Sequence, residues 1–483
     1  MNRRHEDAVL RCNKCKLYYK QHRFRNQKDG FMATERTGKQ GNGQSESRQG
    51  NGRMTGPGGR IAIVAGVRTP FARIATAFRD ADAVDLGAMA AAEVLARTGL
   101  AASDIEQAIF GMTVMKPEAP FIGREIVLAS GMDPRTDAYS ITRACATSFQ
   151  TAASGAEAIA LGHANVVMTG GTDSTSDISI PLSKRLADAL RDASQAKTSK
   201  DRLKVLSRLR PKDLLPRQPS ITEYSTGKTM GESAEQMAKS WGVTRAEQDD
   251  IAHASHSNAA AALADGRLDE QRMTAFVTAN GKTVPVTDDN LVRKNSTRAG
   301  YDKLKPVFDK KLGSVTAANS SPLTDGAAAM ILMSEERAKA LGYEPLAYIR
   351  SYAFAAKTPE RDLLMGPVLA APVALERAGL SLSDLTLIDM HEAFAAQVEC
   401  NIRGMESKTY LKEMTGGGPL GTIDRDILNV NGGSIAFGHP FGATGARIII
   451  QTAHELKRRG GGLAMTTACA AGGVGTAMIL ERD

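Results

Sequence analysis

The chain has 483 residues and 42% apolar content, enough for two to four domains at about 100–200 residues each. Aromatic residues make up only 5% while glycines number 46, which favours helices packed closely on sheets over an aromatic-rich β sandwich. The net charge of +8 comes from residues 1–60, with 14 Lys+Arg against 5 Asp+Glu; the remainder holds 47 against 48, so the body is neutral and nucleic acid is not an expected partner. No uncharged apolar run reaches the roughly 18–20 residues that span a bilayer, and the first thirty residues carry no apolar leader segment. Five cysteines, at 12, 15, 145, 400 and 469, are too few and too scattered for a disulfide framework. A reducing compartment and a cytoplasmic location are expected.

Residues 1–58 are basic, polar and rich in Gly, Gln and Asn, and read as a disordered extension. They read as an accessory tail, or as sequence upstream of a start at Met32 or Met54. Cys12-Asn13-Lys14-Cys15 is half of a zinc-site spacing. No second such pair follows, and His5 and His22 fit no zinc module, so no metal is expected. Order is predicted from Arg60, where Ile61 to Gly66 reads as a strand and Ala83 to Arg97 as a helix. Short strands and helices alternate from there to the C-terminus, which defines an α/β protein.

Leu95–Phe110 (LARTGLAASDIEQAIF) and Leu375–Met390 (LERAGLSLSDLTLIDM) share six of sixteen positions. Each reads as a helix stopped at a glycine, a Ser-Asp turn, then an apolar strand. Two duplicated halves separated by an insertion follow. Residues 180–300 lack clear strands and are rich in charge. Lys184–Arg217 alone carries 11 basic and 4 acidic residues. Leu203, Leu206 and Leu209 among Arg202, Lys204, Arg208 and Arg210 predict a basic amphipathic helix: either a solvated face or a surface for a membrane, an acidic partner or a phosphate-bearing ligand.

Cys145 lies in DAYSITRACATS, where a β-leaning stretch gives way to an Ala-rich helix near 151–161. A helix N-terminus there would stabilise a thiolate, lowering its pKa from about 8.5, and its amides would bind an oxyanion. Taken alone, the residue is either a nucleophile or a structural cysteine. His439 sits in the glycine-rich NVNGGSIAFGHPFGATG, between Gly438 and a helix-initiating Pro440, as a candidate base. Cys469 precedes Ala470-Ala471-Gly472-Gly473 after a predicted strand, and His391-Glu392-Ala393-Phe394 ends the strand of the second repeat copy. Two cysteines and two histidines at strand ends favour one site.

These segments, together with Gly313-Ser314-Val315-Thr316-Ala317-Ala318-Asn319 and Asp325-Gly326-Ala327-Ala328, resemble the thiolases from Arg60 onward. Arg143–Gln150, and His391 where short-chain members usually have asparagine, resemble most the β subunits of fatty-acid oxidation complexes. Two departures stand out: Ala471 replaces a glycine, and the basic tail has no counterpart. The resemblance implies two pseudo-symmetric βαβαβαββ halves in a five-layered αβαβα arrangement. The first half would take residues 59–180 and 301–342, a loop domain 181–300, and the second half 343–483. It implies 3-ketoacyl-CoA cleavage in fatty-acid β-oxidation, with Cys145 as nucleophile, His439 as base, Cys469 as acid/base and His391 stabilising the enolate. The N–H groups of Cys145 and Ala471 would form a second oxyanion site. Arg293, Ala317 and Ser321 would contact CoA, which is a substrate; no cofactor is implied. A homodimer or homotetramer, an α subunit with hydratase and dehydrogenase activities, and peripheral membrane contact are the implied partners. The alternatives are a biosynthetic acetoacetyl-CoA thiolase and a non-catalytic acyl-CoA or partner-binding protein. A decarboxylating ketoacyl synthase would lack Cys469.

Overall fold

A computed structural model describes residues 52–216, 222–279 and 281–483. Cys12, Cys15, His5, His22 and most of the predicted extension lie outside the described residues. The expected start at Arg60 is too late: Thr55–Gly56 already pairs with Gly59–Arg60, and Met54 N–H donates to Arg350 O.

The first half runs β1 (Gly59–Arg68), α1 (Ala83–Thr98), β2 (Gln107–Gly111), α2 (Ile122–Ala129), β3 (Asp137–Ile141), α3 (Thr147–Ala160), β4 (Val166–Asp173). The insertion carries α4 (Lys184–Gln195), α5 (Ser199–Leu206), α6 (Met230–Ser240), α7 (Arg245–Ala264), and a hairpin of β5 (Ala275–Ala279) and β6 (Lys282–Val286). β7 (Thr324–Ser334) closes the half. The second half runs β8 (Ala347–Ala356), α8 (Gly366–Ala378), β9 (Leu387–Met390), α9 (Ala395–Glu406), the one-turn α10 (Ser434–Phe437), α11 (Phe441–Arg459), β10 (Gly462–Ala470) and β11 (Val474–Arg482), with shorter helical turns between.

The repeat in the sequence is a repeat in space. α1 stops at Gly99 (φ 67°) and α8 at Gly379 (φ 65°), both left-handed, and each is followed by a 3₁₀ turn and a buried strand. The strand order is β9-β10-β11-β8-β1-β7-β4-β2-β3. Read outward from the antiparallel β8–β1 junction, each half repeats the same succession. The first half completes the βαβαβαββ pattern; in the second, the strand equivalent to β3 is reduced to a single bridge between Leu428 and Ile388.

α1 and α2 cover one half-sheet, α8 covers the other with α9 packed against it, and α3 and α11 pack together between them. α11 touches strands of both halves, which makes five layers. The close approach of α11 to β4 needs glycine: a Cβ on Gly171 would lie 2.0 Å from Gly442 O. Buried, β-branched and alanine-rich strands such as β4 and β7 have no exposed residue, as expected for sheet covered on both faces.

The insertion between β4 and β7 is anchored by Arg68 on β1, which grips Asp289 with two hydrogen bonds of 2.6 and 2.8 Å. Both side chains are fully buried, and leaving either unpaired costs about 3–5 kcal/mol. Two sequence expectations fail here. The insertion does contain strands: β5 alternates buried Ala275 and Val277 with exposed Phe276, but β6 is exposed along Lys282–Pro285 and so carries little apolar signal. The basic helix is shorter than predicted: α5 ends at Leu206, and Leu209 lies beyond it.

Candidate active site

Two equivalent elbows face each other at the ends of α3 and α11. Cys145 stands two residues before α3, and His439 two residues before α11. The Cys145 elbow is tight: Ala144 takes a left-handed φ of 47°, unfavourable for a residue with a Cβ. Thr147 and Thr113 hold it, their hydroxyls donating to Ala144 O at 2.7 and 3.1 Å. At the other elbow Gly438 has φ 93°, and a Cβ there would collide with the Thr324 side chain. The same Thr324 hydroxyl accepts the His439 N–H at 3.1 Å.

His391 follows the last residue of β9, its N–H donating to Thr467 O on β10. Its imidazole lies 4.2 Å from that of His439, centroid to centroid. Cys469 is the penultimate residue of β10 and is buried. Cys145, Cys469 and His439 line one cavity of about 300 Å³, together with Ala471, Ser321 and apolar side chains such as Met230, Phe308 and Phe394. A larger cleft of about 710 Å³ beside the β5–β6 hairpin holds no cysteine or histidine.

Burial sets the protonation states. It pushes the Cys145 thiol up to about 12, although the N–H groups of Ala471 and of Cys145 itself bond the sulfur and pull the other way. The shift runs opposite to the lowering expected from the helix N-terminus, although the residue as a whole is only half-buried: desolvation of a thiolate outweighs the few donors that reach it. Burial also lowers His439 to about 3, with the Arg447 cation adding to it. Burial, then His439 and Arg447, hold His391 well below the ordinary histidine value. Cys469 is raised well above its ordinary value, by burial and then by the nearby Cys145. The resting site is thus two neutral thiols and two neutral imidazoles.

The N–H groups expected to hold an oxyanion, those of Cys145 and Ala471, are the two that reach Cys145 Sγ. Ser321 lines the cavity, and its N–H donates to Ala393 O. Ala317 and Arg293 are exposed and do not line it; Arg293 stacks near Tyr301 at 5.7 Å. Sequence reasoning missed Met230, Phe308, Leu323 and Leu364, which reach the cavity from separate segments with no shared motif. It also missed Glu392, buried and bonded by Ser255 Oγ (2.6 Å) and Asn429 Nδ2 (2.7 Å), which ties the segment after His391 to α7. Its place beside His391 in the quoted motif was the available signal. Cys145, His391 and His439 offer ligand atoms within 4.8 Å of one another, a donor set that suits a thiophilic metal ion. The buried Arg447 cation acting on both rings opposes a second positive charge there.

A duplicated α/β scaffold that aims one cysteine and one histidine from equivalent elbows, with a second cysteine beside them, defines an enzyme built for covalent catalysis through sulfur. The family model described as Thiolase, N-terminal domain, matches residues 61–336, and Thiolase, C-terminal domain, matches residues 343–482. The chain belongs to the thiolase family. It is 57% identical over 431 residues to a 3-ketoacyl-CoA thiolase of Klebsiella pneumoniae, covering 89% of this chain and 98% of that protein. A 3-ketoacyl-CoA thiolase of Escherichia coli is 56% identical with the same coverage. Among solved structures, human mitochondrial 3-ketoacyl-CoA thiolase aligns with a TM-score of 0.74 at 31% identity, covering 88% of this chain and 99% of that one. The acetyl-CoA acetyltransferase of Bacillus anthracis aligns at 0.73 and 31% identity, covering 89% and 99%.

Proposed function

We infer that the protein is a 3-ketoacyl-CoA thiolase that cleaves its substrate with CoA into acetyl-CoA and a shortened acyl-CoA. The observation that carries this is the convergence of Cys145, His439 and Cys469 on one cavity whose remaining wall is largely apolar. Cys145 attacks the keto carbon as His439 takes its proton, which suits a neutral thiol beside a neutral imidazole. The C2–C3 bond breaks, the acyl group stays on Cys145 sulfur, and the electron pair becomes the enolate of acetyl-CoA. His391 and His439 face that enolate oxygen. Cys469 gives the enolate carbon its proton. CoA thiol then loses its proton to Cys469 and attacks the acyl-sulfur bond, while the N–H groups of Cys145 and Ala471 hold the second oxyanion. Ser321, and Arg293 and Ala317 on the surface, are assigned to the CoA chain. Cleavage of a series of 3-ketoacyl-CoA substrates is expected to favour chains longer than acetoacetyl, because Phe308, Phe394 and Met230 offer apolar surface to the acyl chain. A rate confined to acetoacetyl-CoA would support the biosynthetic alternative.

The insertion adds a docking face to this reading. Ile180, Leu182, Leu190, Leu203, Leu214 and Leu215 are 46–69% exposed. Among the described residues, the side-chain cations of Arg202, Lys204, Arg208 and Arg210 form no ion pair, and only the Arg210 backbone N–H reaches a carboxylate, that of Asp213 at 3.0 Å. Leucines beside unpaired cations suit a partner that is both apolar and acidic, either an α subunit or an anionic bilayer, for a cytoplasmic enzyme with peripheral contact. Each cation near an anionic bilayer contributes about 1 kcal/mol, screened beyond roughly 8–10 Å. Changing all four to glutamine should weaken salt-sensitive binding to anionic vesicles or to a purified α subunit by about tenfold or more. Cleavage of a short soluble substrate should stay near wild type. If both associations survive and the KM for CoA rises instead, these residues serve the nucleotide.

A further inference from the structure

We propose that Ser434 and Arg447 are positioning residues that set the tautomer of His391, so that its Nε2 carries a hydrogen while the Nε2 of the adjacent His439 carries a lone pair. This rests on the thiolase reading of the site and adds the means by which two neighbouring imidazoles take opposite roles.

The hydroxyl protons decide the matter, since each hydroxyl has one to give. Thr444 gives its proton to Pro440 O at 2.9 Å. Its oxygen is then an acceptor for His439 Nδ1, 2.7 Å away, so His439 carries its hydrogen on Nδ1 and presents a bare Nε2. Ser434 is arranged the other way. Its Oγ accepts from Arg447 Nη2 at 3.1 Å, and a guanidinium only donates. Its own proton has one acceptor among the described residues, His391 Nδ1 at 2.9 Å. Were His391 Nδ1 protonated instead, the buried Ser434 hydroxyl would hold a proton with no acceptor, a costly state in a site without exposure. His391 therefore keeps its hydrogen on Nε2.

Both Nε2 atoms are buried and have no hydrogen-bond partner among the described residues; His439 lines the cavity, and the His391 ring lies 4.2 Å from it without lining the cavity itself. Arg447 is fully buried, and its closest carboxylate, Asp389, stays 3.9 Å away. Its charge is thus only partly offset, and it opposes a proton on either ring. The site gains one base and one donor from two chemically identical side chains. With His391 in the other tautomer, its lone pair would face the enolate oxygen and only the proton that His439 takes from Cys145 would be left to donate there; losing one such donor typically lowers the rate about 10²–10³-fold.

The test uses the whole protein and the variant Ser434→Ala. Two partial reactions are compared: exchange of acetyl-CoA α-protons with deuterium, which passes through the enolate, and acyl transfer between Cys145 and CoA, which uses the backbone oxyanion site instead. Exchange is expected to fall at least about tenfold further than acyl transfer, with the loss in kcat rather than KM. In ¹⁵N spectra of the imidazoles, the wild type should show one histidine protonated at Nε2 in the site. In the variant that resonance should move toward the unprotonated position. Equal losses in the two reactions, or a His391 Nε2 signal unchanged by the substitution, overturn the proposal. A wild type that neither acylates Cys145 nor exchanges α-protons would instead sink the thiolase reading on which it rests.

Discussion

Cys145→Ser is expected to lower CoA-dependent cleavage by about 10⁴-fold or more while leaving the fold intact. Serine keeps the size of the side chain at the elbow, so the hydroxyls of Thr147 and Thr113 still hold Ala144. What is lost is acidity: a hydroxyl is far harder to deprotonate than a thiol, and His439, held at about 3, is a weak base. Mass spectrometry after incubation with substrate should find the acyl group on Cys145 in the wild type and no label in the variant. Label on Cys469 alone would reverse the roles of the two cysteines. The pH dependence follows from the same burial. With the thiol pushed up to about 12, only a small thiolate fraction exists near neutrality. Alkylation of Cys145 by iodoacetamide should therefore rise about tenfold per pH unit from pH 7 to 9. Burial holds His439 at about 3, so the free site is expected to show no acid limb from it between pH 5 and 7. A plateau in alkylation below pH 8 would mean a preformed thiolate–imidazolium pair in place of two neutral groups.

The halves were legible in the sequence because their punctuation is chemical. Gly99 and Gly379 stop two helices where only glycine takes a left-handed turn cheaply, and both are followed by a Ser-Asp turn into a strand. Cys145 and His439 were legible for a related reason: each sits where a strand or glycine-rich turn hands over to an Ala- or Gly-rich helix. The protonation state of Cys145 was not. A sequence shows the helix that follows a cysteine, but it does not show how much protein surrounds the sulfur, and desolvation outweighs the helix N-terminus here. The hairpin Ala275–Val286 escaped notice because its outer strand is solvated, so half of the alternation is missing. Ser434 and Arg447 were equally hidden. Thirteen residues apart on different helices, they meet on one hydrogen bond that no local pattern announces.

Cys469→Ala is expected to slow exchange of acetyl-CoA α-protons with solvent deuterium by about 10²–10⁴-fold, the usual contribution of a positioned acid or base. The residue is suited to that task by where β10 places it. Its thiol is buried and raised well above the ordinary cysteine value, so it is protonated when the enolate forms, and a proton is what the enolate carbon needs. Having given that proton up, Cys469 is left as a buried thiolate, and the same burial that raises its thiol makes the thiolate a strong base. It is therefore ready to take the proton of the incoming CoA thiol. The substitution removes only a sulfur from a strand whose flanking residues, Ala468 and Ala470, are already alanines, so packing of β10 against β11 should survive. Acylation of Cys145 by an acyl thioester with an acidic leaving thiol should persist, because that leaving group departs without a proton. The two measurements separate the roles of the cysteines: one reports bond formation to carbon by Cys145, the other proton traffic through Cys469. Exchange continuing at the wild-type rate would move the acid to another group, and His439, which lines the cavity with an unpartnered Nε2, would be the next residue to test.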